Sequence, residues 1–150
     1  MFPFQYCLNS ATLMRCPLVH TYFAYSFSAE EIYTLERRHL YFLATWFFGI
    51  VQERLRYVPI GWSKRYDFNN ADFQSSLFVI DEWVDKVSED RSNISPDIIP
   101  WNAIQQLISE VVYGGKVDVI QDCDYLSSLS QRVFSPNSFE IDFNLLECNE

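Results

Sequence analysis

Thirteen consecutive residues, His39 to Val51, contain no Asp, Glu, Lys or Arg. Leu40, Phe42, Leu43, Trp46, Phe47, Phe48, Ile50 and Val51 all fall within this run. Wound as a helix, the run is apolar on nearly every side, so it must be surrounded by protein or by lipid. Thirteen residues rise about 20 Å, short of a ~30 Å hydrocarbon core. Glu53, Arg54 and Arg56 follow at once. The run is therefore read as the core helix of a packed domain, and other elements must wrap around it.

The partners are legible from spacing. Ser28-Ala29-Glu30-Glu31 has the form of a capping box, so the core helix is expected from there to about Tyr57. Pro59 ends it, because a residue before proline is pushed out of the α region. Gly61 to Phe68 reads as an extended linker. A second helix fits Asn70 to Val87, with Phe73, Leu77, Ile80, Val84 and Val87 on one stripe. Asp72, Asp81, Glu82 and Asp85 lie mostly off that stripe. Asp81, Glu82 and Asp85 read as a solvated face rather than a metal cluster.

Ser88 to Pro96 is a polar loop that contains the sequon Asn93-Ile94-Ser95, which matters only in a secreted protein. A third helix starts at Pro100 and buries Trp101, Ile104, Leu107, Ile108 and Val111. Gly114-Gly115 stops it, with glycine free to take the left-handed cap. A fourth helix spans about Asp118 to Phe134. Ser135-Pro136-Asn137 breaks it, and Ser138 to Leu146 forms a short last helix. No segment alternates as a strand would. The fold class is all-α, a small bundle of four to five helices.

The 150 residues suffice for one domain with a true core. Three parts are expected: a leader over 1–28, a helical domain over 29–146 and a tail over 147–150. The leader holds one charge, Arg15, and many aromatics, with Pro3 and Pro17 interrupting any helix. It lacks the basic cluster of a secretory signal. It reads as a poorly specified extension open to disorder, or as an artefact of where the reading frame was started.

Charge is unevenly placed. Residues 69–150 carry four basic and fifteen acidic side chains within a net charge of -9. An acidic half repels phosphate backbones, which argues against nucleic acid as a partner. It reads as a solvated surface, or as a face that meets a basic partner. Cys7, Cys16, Cys123 and Cys148 form no Cys-x-x-Cys pair. Free thiols are expected, and no metal or cofactor is called for.

Catalytic patterns fail on spacing. Gly114-Gly115-Lys116 is followed by Val117 where a phosphate loop needs Ser or Thr, and Ser109 stands where the earlier glycine belongs. Asp122 and Asp124 sit roughly 200° apart on a helix and form no carboxylate pair. His39 reads as a packed or surface histidine, since no nucleophile has a credible partner. Arg54 and Arg56 complement the end of the core helix, and Glu53 can pair with Arg56. The alternative is that Arg54 or Arg56 meets a carboxylate on a neighbouring module. Trp62 and Trp101 read as core anchors. Trp46 is expected to be buried, with Trp101 on it or on the second helix.

Three phrases occur in fixed order: Gln52-Glu53-Arg54-Leu55-Arg56-Tyr57 running into Gly61-Trp62-Ser63-Lys64, then Ile99-Pro100-Trp101, then Val112-Tyr113-Gly114-Gly115-Lys116-Val117. Together they resemble the helical lid of the sixth AAA+ module of dynein heavy chains, over about Glu36 to Phe134. Gly61-Trp62-Ser63-Lys64-Arg65-Tyr66-Asp67-Phe68 looks like the cytoplasmic type, where axonemal chains usually read Trp-Asn-Ile-Pro-Tyr. The resemblance implies a structural part of a motor ring, with no working nucleotide site of its own. Its implied partners are neighbouring AAA+ modules, the C-terminal region of a heavy chain and, through the parent motor, other dynein subunits. The implied place is the cytoplasm, on the microtubule cytoskeleton. Glu53, Arg54, Arg56, Trp62, Trp101, Tyr113, Gly114, Gly115 and Lys116 are the structural or inter-module contact candidates. The chain departs from the family at Lys116, where Arg is common, and at Asp124, where the family usually ends Asp-x-Arg. Residues 1–28 match no part of the family pattern. The alternative reading is an independent acidic helical adaptor that binds a protein partner.

Overall fold

A computed structural model describes residues 35–88, 94–140 and 143. Four helices account for most of it. We label them α1 (Leu35–Arg54), α2 (Asn70–Ser88), α3 (Trp101–Gln106, continued by π winding over Leu107–Tyr113) and α4 (Ile120–Val133). Short 3-10 turns occupy Leu55–Tyr57, Pro96–Ile98, Gly114–Lys116 and Pro136–Phe139. Among the described residues there is no strand, so the all-α expectation holds.

α1 is the hub. Leu40, Leu43, Phe48 and Val51 are fully buried, and Ala44, Trp46 and Phe47 nearly so. Residues that fall on several sides of one helix can all be buried only when neighbours close on it from each side. α2 and α4 both pack against α1. Phe47 meets Tyr113 at 5.2 Å and Phe134 at 5.8 Å, while Phe48 meets Phe73 at 5.2 Å. The uncharged run thus becomes the axis of the core. Arg54 and the 3-10 turn carry the chain to Tyr57, and Val58 leaves the helical region at ψ 132° ahead of Pro59, as expected.

α2 begins where the periodicity placed it. Asn69 caps it: its side-chain oxygen accepts from the Ala71 N–H at 2.9 Å, and its own N–H donates to the Asp72 carboxylate at 2.8 Å. This is a reciprocal capping box built from Asn and Asp. Phe73, Ile80 and Val84 are buried, with Leu77 and Val87 packed on them.

The third helix departs from the expectation of continuous α winding. After Gln106 the winding opens to i→i+5 bonding through Tyr113. Tyr113, five residues after Ile108, is fully buried, whereas Val112, four after it, is only partly so. Val111, expected inside, is 63% exposed. The glycines also behave differently from expectation. No glycine has positive φ, and Gly114 continues the helical path at φ -64°, ψ -28°. Gly114 is required for closeness instead. A Cβ there would sit 3.2 Å from the Ser109 carbonyl carbon and nearer still to its oxygen.

Two acidic readings change as well. Asp81 and Asp85 are not simply solvated, since Arg37 pairs with both and Tyr41 donates its hydroxyl to Asp81 at 2.5 Å. Asp72 is buried rather than off the packed side. The Ser28 capping box, the leader and Cys7, Cys16 and Cys148 lie outside the described residues, as do residues 89–93 with Asn93. Of the expected last helix, the described part is the 3-10 turn Pro136–Phe139. Cys123 is a free, half-buried thiol that donates to the Val117 carbonyl at 3.7 Å.

Candidate functional site

The three quoted phrases do not scatter over the surface. Two of them converge on the Gly61–Phe68 linker, which crosses between α1, α2 and α4. Trp62 is fully buried and donates its indole N–H to the Val51 carbonyl at 3.0 Å, which closes a free acceptor at the end of α1. Tyr66, Phe68 and Tyr125 surround the Trp62 ring at 5.4–5.9 Å. The Arg54 guanidinium lies 3.6 Å from the Tyr125 ring and 5.2 Å from Trp62, and it donates to the Gly61 carbonyl. Its charge is thereby used inside the domain, as a cation–π and hydrogen-bonding plug. Gly61 is glycine because the Arg54 backbone passes so close. A Cβ would stand 3.0 Å from the Arg54 carbonyl carbon and inside contact distance of its oxygen.

Asp122 anchors the same linker from the first turn of α4. Its carboxylate accepts from the Ser63 N–H at 3.1 Å, the Ser63 hydroxyl at 3.1 Å and the Tyr66 hydroxyl at 2.7 Å. Burial, and then the bond to Asp122, push the Tyr66 phenol well above its ordinary range. It stays neutral and keeps donating. Lys64 pairs with the exposed Asp118, whose carboxyl is held below its usual range by that contact.

A second knot forms at Tyr113. Its ring is fully buried against Phe47 and, at 5.8 Å, Phe68, and its hydroxyl lies 3.4 Å from the Ser76 Oγ. Burial raises this phenol too. Phe68 therefore joins the Trp62 and Tyr113 clusters. Three residues on, Lys116 Nζ donates to the Asp72 carboxylate at 2.8 Å and to the Asp67 carbonyl at 2.7 Å. One ammonium thus ties the end of the linker to the cap of α2. Lysine can serve here because one acceptor is a carbonyl and the other a single carboxylate oxygen, so no bidentate fork is needed.

Not every candidate joins these knots. Trp101 sits elsewhere, edge-on to Phe139 at 5.9 Å, with its indole donating to the Pro96 carbonyl at 2.9 Å. Trp46 is buried as expected, beside Phe42 at 6.3 Å. Glu53 and Arg56 form an exposed i,i+3 pair at 3.1 Å. Gly115 has open space around its Cα. His39 is packed on Phe139 at 4.3 Å, and burial pushes its pKa down to about 4, against a smaller opposing effect of a hydrogen bond to the Ser138 backbone. Sequence reasoning passed over Asp72, Asp122, Tyr66 and Tyr125. Asp72 carried a signal, Asn69 three residues before an acid. Asp122 carried none beyond being acidic in a first turn.

What this arrangement does chemically is hold shape. Apart from the Lys64–Asp118 and Glu53–Arg56 pairs, the named polar groups face inward onto one another and onto backbone carbonyls. Among the described residues no group of three His, Cys, Asp or Glu is placed to hold a metal, and no helix is long and apolar enough to cross a membrane.

Comparison with known proteins agrees with that character. The family described as "Dynein heavy chain AAA lid domain" matches residues 37–150. The chain is 41% identical over 133 residues to the cytoplasmic dynein heavy chain of Dictyostelium discoideum, covering 89% of this chain and 3% of that protein. It is 46% identical over 111 residues to the cytoplasmic heavy chain of Drosophila melanogaster, covering 74% and 2%. It is 39% identical over 120 residues to a dynein heavy chain-like protein of Plasmodium falciparum, covering 77% and 2%. The chain therefore spans only 2–3% of the length of these relatives. Two extents exceed the sequence reading. The family match runs past Phe134 to residue 150. A match over 133 of 150 residues also cannot begin after residue 18, so the Dictyostelium similarity reaches into the leader. Helical architecture, the interlocked linker and the match over residues 37–150 converge on one conclusion: this chain belongs to the dynein heavy chain AAA lid domain family.

Proposed function

We propose that the chain acts as the structural lid of the sixth AAA+ module in a cytoplasmic dynein heavy chain. In this role it contributes to minus-end-directed movement on microtubules only as part of the whole motor. The observation that carries the reading is 46% identity over 111 residues to a cytoplasmic heavy chain, together with a family match over residues 37–150. A lid in a ring must transmit position without deforming, and the linker knots tie α1, α2 and α4 into one body suited to that task. Its partners on this reading are the neighbouring modules and the C-terminal region of the heavy chain, in the cytoplasm on the cytoskeleton. The lid unit is taken as residues 29–146, between a leader at 1–28 and a tail at 147–150. Nucleotide chemistry belongs to other modules.

Among the contact candidates, Arg56 is the one we assign to a neighbour. Arg56 is half exposed, whereas Arg54, Trp62, Tyr113 and Lys116 are spent on contacts within the domain. The test is replacement. Residues 37–150 are exchanged for the matching segment of the Dictyostelium cytoplasmic heavy chain, and microtubule gliding and microtubule-stimulated ATP turnover are measured. Retention of both is expected. A soluble, folded chimera that has lost both would overturn the lid reading. The 150-residue chain by itself should release no heat on titration with Mg-ATP.

A further inference from the structure

Helix α3 changes its winding in mid-course, and five observations bear on why. Trp101, Ile104 and Ile108 are buried at intervals of three and four, as in an α-helix. Past them Ser109 and Tyr113 are buried, and the ring falls five residues after Ile108 while Val112, four after it, is only partly covered. Between them Val111, a large apolar residue, is 63% exposed. At the junction the Gln105 carbonyl accepts two side-chain hydroxyls, Ser109 Oγ at 2.7 Å and Ser130 Oγ at 3.1 Å. Ser75, Ser76 and Ser128 make the same i→i−4 bond in regular helices, so what sets this carbonyl apart is the second hydroxyl, from Ser130 on α4. Finally, Gly114 is where a side chain would strike the Ser109 carbonyl, five residues back. In regular α winding the residue facing that carbonyl is the fourth, and a Cβ there is ordinary.

We infer that the π-wound stretch Leu107–Tyr113 is a register joint in which one residue, at or beside Val111, is in excess over an α-helix. The joint lies between two sets of contacts. Upstream, α3 is keyed to α4 by the Gln105 side chain, which donates to the Phe134 carbonyl, and by the Ser130 hydroxyl. Downstream, Tyr113 and Lys116 are keyed to α2 and the linker through Ser76, Asp72 and Asp67. The seven residues between can change winding without unseating either set. The joint therefore lets one helix meet both sets of contacts at once, a register a continuous α-helix would forbid. A change between α and π winding amounts to about one residue of rise, 1.5 Å, and about 100° of rotation. π winding is rare and occurs mostly as a bulge within an α-helix.

Deletion of Val111 tests this in the full 150-residue chain. In an ordinary helix, deleting one exposed residue turns everything after it by about 100° and destroys the packing. At the joint it should restore α spacing, four residues from Ile108 to the tyrosine. Deletion of Gln74, an exposed position inside α2, is the control. The Val111 deletion should melt cooperatively no more than about 5 °C below the parent chain, while the Gln74 deletion falls much further. Amide exchange over residues 107–113 should slow by about tenfold or more as the winding tightens. Gly114→Ala supplies a second reading. It should lower the midpoint in the parent chain and be tolerated in the Val111 deletion, where the alanine faces Ser109 at α spacing. A Val111 deletion that melts like the Gln74 deletion overturns the inference. So does one that folds with exchange unchanged, or a Gly114→Ala penalty that is the same in both backgrounds.

Discussion

Replacement of Asp122 by alanine isolates the contact that fastens the linker to α4. The carboxylate is 6% exposed and receives three donors, two from Ser63 and one from Tyr66. A hydrogen bond to a charged group contributes about 1.5–3 kcal/mol net, and a buried donor left without an acceptor costs about 1–3 kcal/mol. Ser63 is exposed, so its two donors recover water when the acceptor goes. Tyr66 is buried and does not. The expected loss is thus set mainly by the phenol, at about 3 kcal/mol. That is a large part of the 5–15 kcal/mol that holds a domain of this size together. The assay is urea unfolding followed by tryptophan fluorescence, because Trp62 stands edge-on to Tyr66 at 5.9 Å and reports the same knot. Tyr66→Phe should cost about 1 kcal/mol by itself. The double variant should fall short of the sum by about 1 kcal/mol or more, since each change removes the same bond. Asp122→Ala losing less than about 1 kcal/mol, or strict additivity with Tyr66→Phe, would refute the assignment of Asp122 as the linker anchor.

Three further outcomes follow from the same geometry. Gly61→Ala drives a methyl into the Arg54 backbone and should cost about 1–3 kcal/mol, whereas Gly115→Ala, with open space around it, should shift stability by less than about 1 kcal/mol; paired denaturation curves decide. Arg54→Lys should lose about 1–2 kcal/mol although charge is kept, because an ammonium cannot both stack on Tyr125 and reach Gly61; a stability equal to the parent chain would contradict the plug. His39 has a folded pKa of about 4 against 6.5 unfolded, so the unfolded chain takes the proton first as pH falls. Its contribution to stability is complete above pH 6.5 and is lost toward pH 4, about 1.5 kcal/mol of it between pH 6.5 and 5. His39→Gln should flatten the stability profile in that window by this amount, and an unchanged slope would exclude the assignment.

Much of this protein could be read along the chain because the information is local. A run with no charge from His39 to Val51 can only be a surrounded helix, so α1 was identifiable as the hub from hydropathy alone. Proline at 59 acts on the residue before it, and the three-and-four spacing of Phe73, Leu77, Ile80 and Val84 acts within one helix, so the end of α1 and the buried face of α2 were legible. The phrases that carry the family resemblance were legible as well, but their meaning was not. Gly61 and Gly114 look like conformational glycines. Both are instead places where another stretch of backbone passes too close for a Cβ, and that closeness exists only after the chain has folded. Arg54 reads as a free cation at a helix end, until Trp62 and Tyr125 arrive from seven or more residues away to cover it. Asp122 and Lys116 look like surface charges until Tyr66 and Asp72 meet them across more than forty residues. The π winding was hidden most deeply. Periodicity assumes 3.6 residues per turn, and Val111 fits that period well. Only the simultaneous demands of α4 on Gln105 and of α2 on Tyr113 make the helix absorb an extra residue between them. Local sequence determines where a helix can form, and long-range packing decides which of its residues must face inward.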